Sequence, residues 1–471
     1  MITVEGIKGQ SFGVFGLGAT GIASAEALVA SGAEVYSWDE NAVAREKTAN
    51  TPYRPEHPRH WPWDRLEAVV LSPGVPLTHP RPHAIVRKAV SSKVPVIGDV
   101  EIFARCVLNL PKEKQPRIIA VTGSNGKSTT TSLIAHILRE TGHKVFEGGN
   151  LGEAVLSLPA IDENTIYVLE LSSFQLDLVH SLKADIAVFL NISPDHLERH
   201  GDIDGYVKAK RRIFNNQSSD DYAVIGVDDA VSQTVCTDLT ASQHGEVIPV
   251  SAIGTLGHGV FVLGNELFFN FDNKTRPAGD IPDIAALKGQ HNHQNAAAAF
   301  AVTTRLGVSP PLAMLAMSKF RGLAHRMEKV GEAKGVTFIN DSKATNVDAV
   351  LQALRAYKPI YWLAGGKAKE GGISALVDKG ENVRKAYFYG EAGADFNEQW
   401  QSASAPSEVF TTLDLAVAQA FDDALQAGES DPVILLSPAA ASYDQYANFE
   451  ARGDAFRQLF SAIASQDGEA A

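Results

Sequence analysis

Apolar positions along this chain fall into two patterns that alternate from end to end, short runs of a buried strand and longer stretches at helical spacing. Residues 118–121 are apolar and partly β-branched, and they predict a buried parallel strand. A Gly/Ser/Asn turn follows at 122–127. Leu133, Ile134, Ile137 and Leu138 then recur on one helix face, and Gly142 supplies the C-cap. Nearer the start, a strand at 11–15 runs into a glycine turn at 16–21, a helix to about Ser31 and a second strand at 34–38. Further strands are predicted at 68–71 and 94–97, at 167–169, 186–190 and 222–225, and at 337–339, 360–363 and 433–436. Strands alternating with helices imply an α/β protein with parallel sheets.

Two breaks divide the pattern. Residues 109–117 are polar, contain two prolines and lack periodicity, so they read as a linker, and a further α/β unit begins around Ala324. The expected domains are residues 1–113, 114–323 and 324–471. A chain of 471 residues is too long for one compact core, which fits that division. Its 45% hydrophobic and 21% charged residues are those of a soluble globular protein. A net charge of −13 with no basic tract argues against a nucleic-acid partner. Cys106 and Cys236, the only cysteines, give neither a disulfide framework nor a Cys-rich zinc site, and a reducing cytoplasm is expected. No stretch is apolar for long enough to span a bilayer, and Glu26, repeated glycines and no basic lead-in argue against a signal peptide at 12–33.

The candidate chemistry lies at strand ends. A strand, a glycine turn and a helix start carrying Lys-Ser-Thr make a phosphate cradle from Gly123, Ser124, Asn125, Gly126, Lys127, Ser128 and Thr129. Lys127 is placed to reach terminal phosphates and Ser128 to ligate Mg²⁺, although Val121 stands where a standard P-loop has its first glycine. Glu170 to Gln175 put a carboxylate and hydroxyls at one strand end, and Asn191 to His196 put a carboxylate and an imidazole at another. Arg326 and Lys343 suit phosphate oxygens and Asp341 suits ribose hydroxyls, a surface salt bridge among them being the plain alternative. The polar run 287–295 suits a nucleotide better than a metal, since its spacing fits no zinc pattern. Gly16 to Gly21 with Asp39 taken alone would also suit an NAD(P)-dependent oxidoreductase, and a non-catalytic ATP-gated switch would use the same phosphate loop.

Taken together, GLGATG, SPG, TGSNGKST, ELSSFQL, HNHQNAAAA, HRMEKV, NDSKATN and SPAAASYDQYANFEARG resemble the Mur ligase family, which also includes folylpolyglutamate synthases. The resemblance runs from Gly16 to about Phe456. It implies a Rossmann-like N-terminal domain for a UDP-sugar, a P-loop-type central ATPase with a parallel sheet, and a Rossmann-like C-terminal lid for an amino acid. The last motif, with no Asn-Pro-Arg signature in the same domain, implies ligation of D-glutamate to UDP-N-acetylmuramoyl-L-alanine through an acyl phosphate, in peptidoglycan precursor synthesis. ATP and Mg²⁺ are the implied cofactors, with a second metal ion expected, and the enzyme is expected to be a cytoplasmic monomer. Lys127, His196 and Lys210 are implied to be catalytic, Lys210 as a carbamylated anion. Metal ligands would be Ser128, Glu170, His196 and Lys210. Asn295, Arg326, Asp341 and Lys343 would join the phosphate loop around ATP, while Ala19, Thr20, Asp39, Gly74 and Asn150 would meet the UDP-sugar. Thr345, Lys369, Ser442, Tyr443 and Phe449 would surround D-glutamate, Tyr443 standing where an apolar residue is common in the family.

Overall fold

The computed structural model of this protein describes residues 1–150, 152–242, 245–284, 287–368 and 371–468. It opens with β1 (Ser11–Phe15), α1 (Ala19–Ala30), β2 (Glu34–Trp38), α2 (Ala42–Thr48), β3 (Leu66–Leu71), α3 (Ala84–Ser91), β4 (Val96–Ile97) and α4 (Asp99–Leu108). These strands form a parallel sheet in the order β2-β1-β3-β4. Gly21 lets α1 start close behind β1, because a Cβ there would lie 1.8 Å from the Gly16 carbonyl oxygen.

The linker expected at 109–117 holds one 3-10 turn, Lys112–Lys114, and its final residue already opens the next strand. The second set is β5 (Arg117–Thr122), α5 (Lys127–Glu140), β6 (Lys144–Gly149), β7 (Thr165–Glu170), α6 (Ser173–Asp177), β8 (Ile186–Phe189), α7 (Leu197–His200), α8 (Ile203–Arg211), β9 (Tyr222–Gly226) and α9 (Ala230–Ser242). It continues with β10 (Glu246–Ser251), β11 (Gly259–Leu263), β12 (Glu266–Asn270), β13 (Arg276–Asp280), α10 (Gln290–Arg305) and α11 (Pro310–Ser318). The nine strands run in the order β13-β12-β11-β10-β9-β8-β5-β7-β6, parallel except for the antiparallel edge made by β11, β12 and β13. β5 therefore sits between β7 and β8, buried along almost its whole length. The sequence predicts one apolar face for α5. In the structure Ser128, Ser132 and Ala135 on the other face are buried as well, because the helix packs against β6, β7 and α11.

The third set is β14 (Glu328–Ala333), β15 (Val336–Asn340), α12 (Val347–Ala356), β16 (Ile360–Gly365), β17 (Val383–Tyr389), α13 (Gly393–Trp400), β18 (Ser407–Phe410), α14 (Leu413–Ala427), β19 (Val433–Leu436) and α15 (Phe449–Gly468). Its sheet order is β14-β15-β19-β16-β17-β18, with only β14 antiparallel to its neighbour.

The three sheets fall into two compact units, Met1–Ile281 with His293–Lys319 and Pro282–Asn292 with Phe320–Ala471. The first two sheets thus share a unit, and the buried carboxylate of Glu101 on α4 is one reason. It accepts the His180 and Ser181 amides and the Ser181 hydroxyl, each at 2.8 Å, and Arg105 Nε at 2.8 Å. Burial opposes its ionisation, yet the His180, Ser181 and Arg105 donors hold its pKa below the usual glutamate value. Asp99, at the start of the same helix, is the opposite case. Neither of its buried oxygens makes a hydrogen bond, and burial pushes its pKa up to about 6.

Candidate active site

β5 delivers its turn to the carboxyl edge of the sheet, where β7 and β8 end on either side. The turn is fastened to both. Thr122 Oγ1 donates to the Leu171 carbonyl at 2.7 Å, the Ser124 amide to the Asn191 carbonyl at 2.9 Å, and the Asn125 amide to Asn191 Oδ1 at 2.9 Å. Gly126 has φ +85°, and a Cβ there would lie 2.2 Å from Asn295 Oδ1. Asn295 precedes the buried run Ala296, Ala297, Ala298 and Ala299 on α10, and these small side chains suit the close approach of helix to loop. Lys127, the first residue of α5, turns its Nζ back onto the carbonyls of Gly123 at 2.9 Å and Ser124 at 2.8 Å. Ser128 and Thr129 follow, both buried, in the first turn, where the helix dipole favours an anion.

Lys210 reaches the same place from α8. It is 1% exposed, and its Nζ donates to the Gly123 carbonyl at 2.8 Å and to Thr122 Oγ1 at 3.3 Å. Burial first, and the charge of Lys127 second, push its pKa well below the ordinary lysine value. Glu170, at the end of β7, is 2% exposed. Its Oε1 accepts from Asn150 Nδ2 at 2.7 Å, while its buried Oε2 has no hydrogen-bond partner. An orphaned carboxylate oxygen beside a phosphate cradle suits a hard cation such as Mg²⁺, which takes one or two protein oxygens and fills its remaining positions with phosphate and water. Among the described residues no group of three His, Cys, Asp or Glu side chains could hold a metal on protein ligands alone. His196 stands half-exposed at the start of α7 with φ +54°, its ring 4.8 Å from that of Phe174 and its Nε2 3.3 Å from the Asp195 carboxylate.

In the first sheet, Ala19 and Thr20 begin α1, and Asp39 is more than a solvated strand end. Its carboxylate accepts the Leu17 amide at 2.6 Å and the Asn41 amide at 2.7 Å, so it holds the glycine turn after β1. The Gly74 carbonyl accepts Arg199 Nη1 at 2.9 Å, which brings the turn after β3 to the helix that follows His196. In the other unit, Asp341 is buried at the end of β15 and accepts Ser437 Oγ at 2.9 Å and the Met327 amide at 3.2 Å. Burial pushes its pKa up to about 7, against the charge of Arg326. Lys343 Nζ lies 5.7 Å from the ring centre of Phe449, and the Thr345 amide donates to the Lys343 carbonyl. Ser442 is buried and Tyr443 is 72% exposed. Lys369 lies outside the described residues.

Residues 121–303 match the Mur ligase middle domain, and residues 325–440 match the Mur ligase glutamate ligase domain. The UDP-N-acetylmuramoylalanine--D-glutamate ligase of Caulobacter vibrioides is 48% identical over 472 residues, covering 100% of both chains. The chain belongs to the Mur ligase family. A protein of the same name from Paramagnetospirillum magneticum is 44% identical over 98% of this Mur ligase and 99% of its own length. Among solved structures, the Thermotoga maritima MurF ligase in complex with ADP has a TM-score of 0.57 at 16% identity, covering 99% of this chain and 98% of that one. The Thermotoga maritima UDP-N-acetylmuramate-alanine ligase MurC has a TM-score of 0.56 at 17% identity, covering 96% and 99%. These two show a shared fold. With a full-length match to Mur ligases, the glycine turn at 16–21 no longer calls for a nicotinamide dinucleotide to account for it.

One residue of this Mur ligase escaped the sequence reading. Arg452 on α15 is fully buried, and its guanidinium donates to Ser342 Oγ at 3.0 Å and to the carbonyls of Ser342 at 2.9 Å, Gly365 at 3.2 Å and Ala440 at 3.1 Å. It ties together the carboxyl ends of β15, β16 and β19. The motif containing it is conspicuous, but an arginine at a helix start looks the same in sequence whether it is solvated or buried.

Proposed function

We propose that this Mur ligase joins D-glutamate to UDP-N-acetylmuramoyl-L-alanine, driven by ATP, in peptidoglycan precursor synthesis. The full-length identity of 48% to a relative of that name carries the reading. A free carboxylate is a poor acyl donor, because its leaving group would be oxide. Transfer of the ATP γ-phosphoryl group to it gives an acyl phosphate, and attack by the D-glutamate amine then yields the amide, ADP and phosphate. The protein's part is positioning and charge balance. Amides of 123–129 and the Lys127 ammonium would take the phosphates, with Asn295, Arg326, Asp341 and Lys343 on the rest of the nucleotide. Ala19, Thr20, Asp39, Gly74 and Asn150 would hold the UDP-sugar, and Thr345, Lys369, Ser442, Tyr443 and Phe449 the D-glutamate. The three-way division at 113 and 323, a third domain acting as a lid, and a cytoplasmic monomer belong to the same reading. No described helix is long and apolar enough to cross a membrane.

Mg²⁺ would be held by Ser128 and Glu170, a second ion by His196 and Lys210, and the ions would neutralise phosphate charge when bound. The orphaned Glu170 Oε2 supports the first site. Carbamylation of Lys210 is supported by its burial, which favours the neutral amine. That neutral amine adds to CO₂, an N–C bond forms, one proton leaves to solvent, and the uncharged side chain becomes a carbamate anion. The test of the whole reading is a panel of amino acids with ATP and UDP-N-acetylmuramoyl-L-alanine, scored by product mass and phosphate release. D-Glutamate alone should give both. Phosphate release without an amide, or an amide with a different amino acid only, would overturn it.

A further inference from the structure

Arg199 joins three segments of the first unit. It lies on the short helix α7, three positions beyond His196. Its Nη1 donates to the Gly74 carbonyl at 2.9 Å, and its Nη2 to the carbonyls of Pro73 at 3.2 Å and Val75 at 3.0 Å. Its guanidinium carbon stands 4.4 Å from the ring centre of Phe174, which sits four residues beyond Glu170. The same ring packs on His196 at 4.8 Å and stacks on His200 at 5.5 Å. His200 is buried and pinned in turn by Ser173 Oγ at 3.0 Å. Three successive carbonyls converging on one side chain suit the planar fork of arginine and not the single ammonium of lysine.

We propose that Arg199 is a positioning residue that ties the setting of His196 to the turn at 72–75, so that the UDP-linked substrate, on engaging that turn, fixes His196 for the phosphoryl step. The inference rests on the function proposed above. Arg199 acts through Phe174 and His196, so its loss reaches both the affinity for the UDP-linked substrate and the chemical step. Nucleotide affinity belongs to the loop at 122–129, which Arg199 does not touch.

The test compares the full-length protein with Arg199→Lys and Arg199→Ala, each also combined with His196→Ala. Steady-state kinetics with Mg²⁺, ADP-binding calorimetry and thermal unfolding are measured. Arg199→Lys should lower kcat about tenfold with all substrates saturating, and raise KM for UDP-N-acetylmuramoyl-L-alanine about tenfold. Its Kd for ADP should stay within about twofold and its Tm within about 2 °C. In the His196→Ala background the fall in kcat should shrink to less than about twofold. A KM change with kcat intact, an equal fall in kcat in both backgrounds, or loss of ADP binding would each overturn the proposal. Should Arg199→Ala fail to fold, the lysine variant carries the decision by itself. Failure of the unaltered protein to make the amide would instead refute the proposed function, so the two failures are distinct.

Discussion

Two lysines share one acceptor in this protein, the Gly123 carbonyl, and they are proposed to do different work there. Lys127 on the loop is the proposed phosphate cation, so Lys127→Ala should cut ATP turnover by about a thousandfold, on the order of 4 kcal/mol of barrier. It should leave the calorimetric Kd for UDP-N-acetylmuramoyl-L-alanine unchanged, and a variant that formed amide at the unaltered rate would remove the loop from the reaction. Lys210 is the buried amine. Protein equilibrated with ¹³C-bicarbonate should give a carbamate resonance that Lys210→Arg abolishes; the same resonance in both would place any carbamate elsewhere. Asp99 offers a pH test away from the site. Its folded pKa of about 6 lies above the carboxylate's ordinary 3.8, so the folded state binds more protons across that window and stability is lost as pH rises through it. Asp99→Asn should therefore stabilise the protein at pH 8, by up to about 3 kcal/mol, with the gain vanishing near pH 4. Urea unfolding at the two pH values measures it, and equal gains at both would mean that the carboxyl does not titrate there.

At the level of elements, strand β5, its turn and helix α5 were legible because apolar run, glycine turn and helical spacing all agree there. The edges were not. β13, reading RPAGD, carries proline and glycine, and β14, reading EKVGEA, is mostly charged or small. Edge strands need no apolar alternation on two faces, so both look like loop in sequence. The glycines at 16–21 announced a close backbone approach, whereas the use of Asp39 as the acceptor for the Leu17 amide depended on turn geometry. Arg199 and Arg452 were illegible for a related reason: their partners are main-chain carbonyls, which every sequence has. Glu101 on α4 is the element-scale joint that can be tested. Glu101→Gln trades one oxygen for an NH₂ facing two of its four donors and should cost about 2 kcal/mol of stability by denaturant unfolding. A loss under about 0.5 kcal/mol would make the contact incidental.

For the whole molecule, three α/β alternations could be counted from the sequence, but their grouping into two compact units could not. That grouping depends on contacts such as Glu101 with His180, 79 residues apart. It has a calorimetric consequence. A non-hydrolysable ATP analogue at 100 times its Kd should stabilise the unit containing β5 by about 2.7 kcal/mol and raise the temperature of its unfolding transition. A shift confined to the unit containing β15 would put the nucleotide's main anchorage there instead.

Glu101 also bears on how a turnover would run. One carboxylate clamps the helix behind the first sheet to the chain beyond Phe174, within the one compact unit that also holds the loop after β5. An acid held by the first sheet, as proposed, would be presented to the loop after β5 at the same span in every cycle, like a workpiece in a jig.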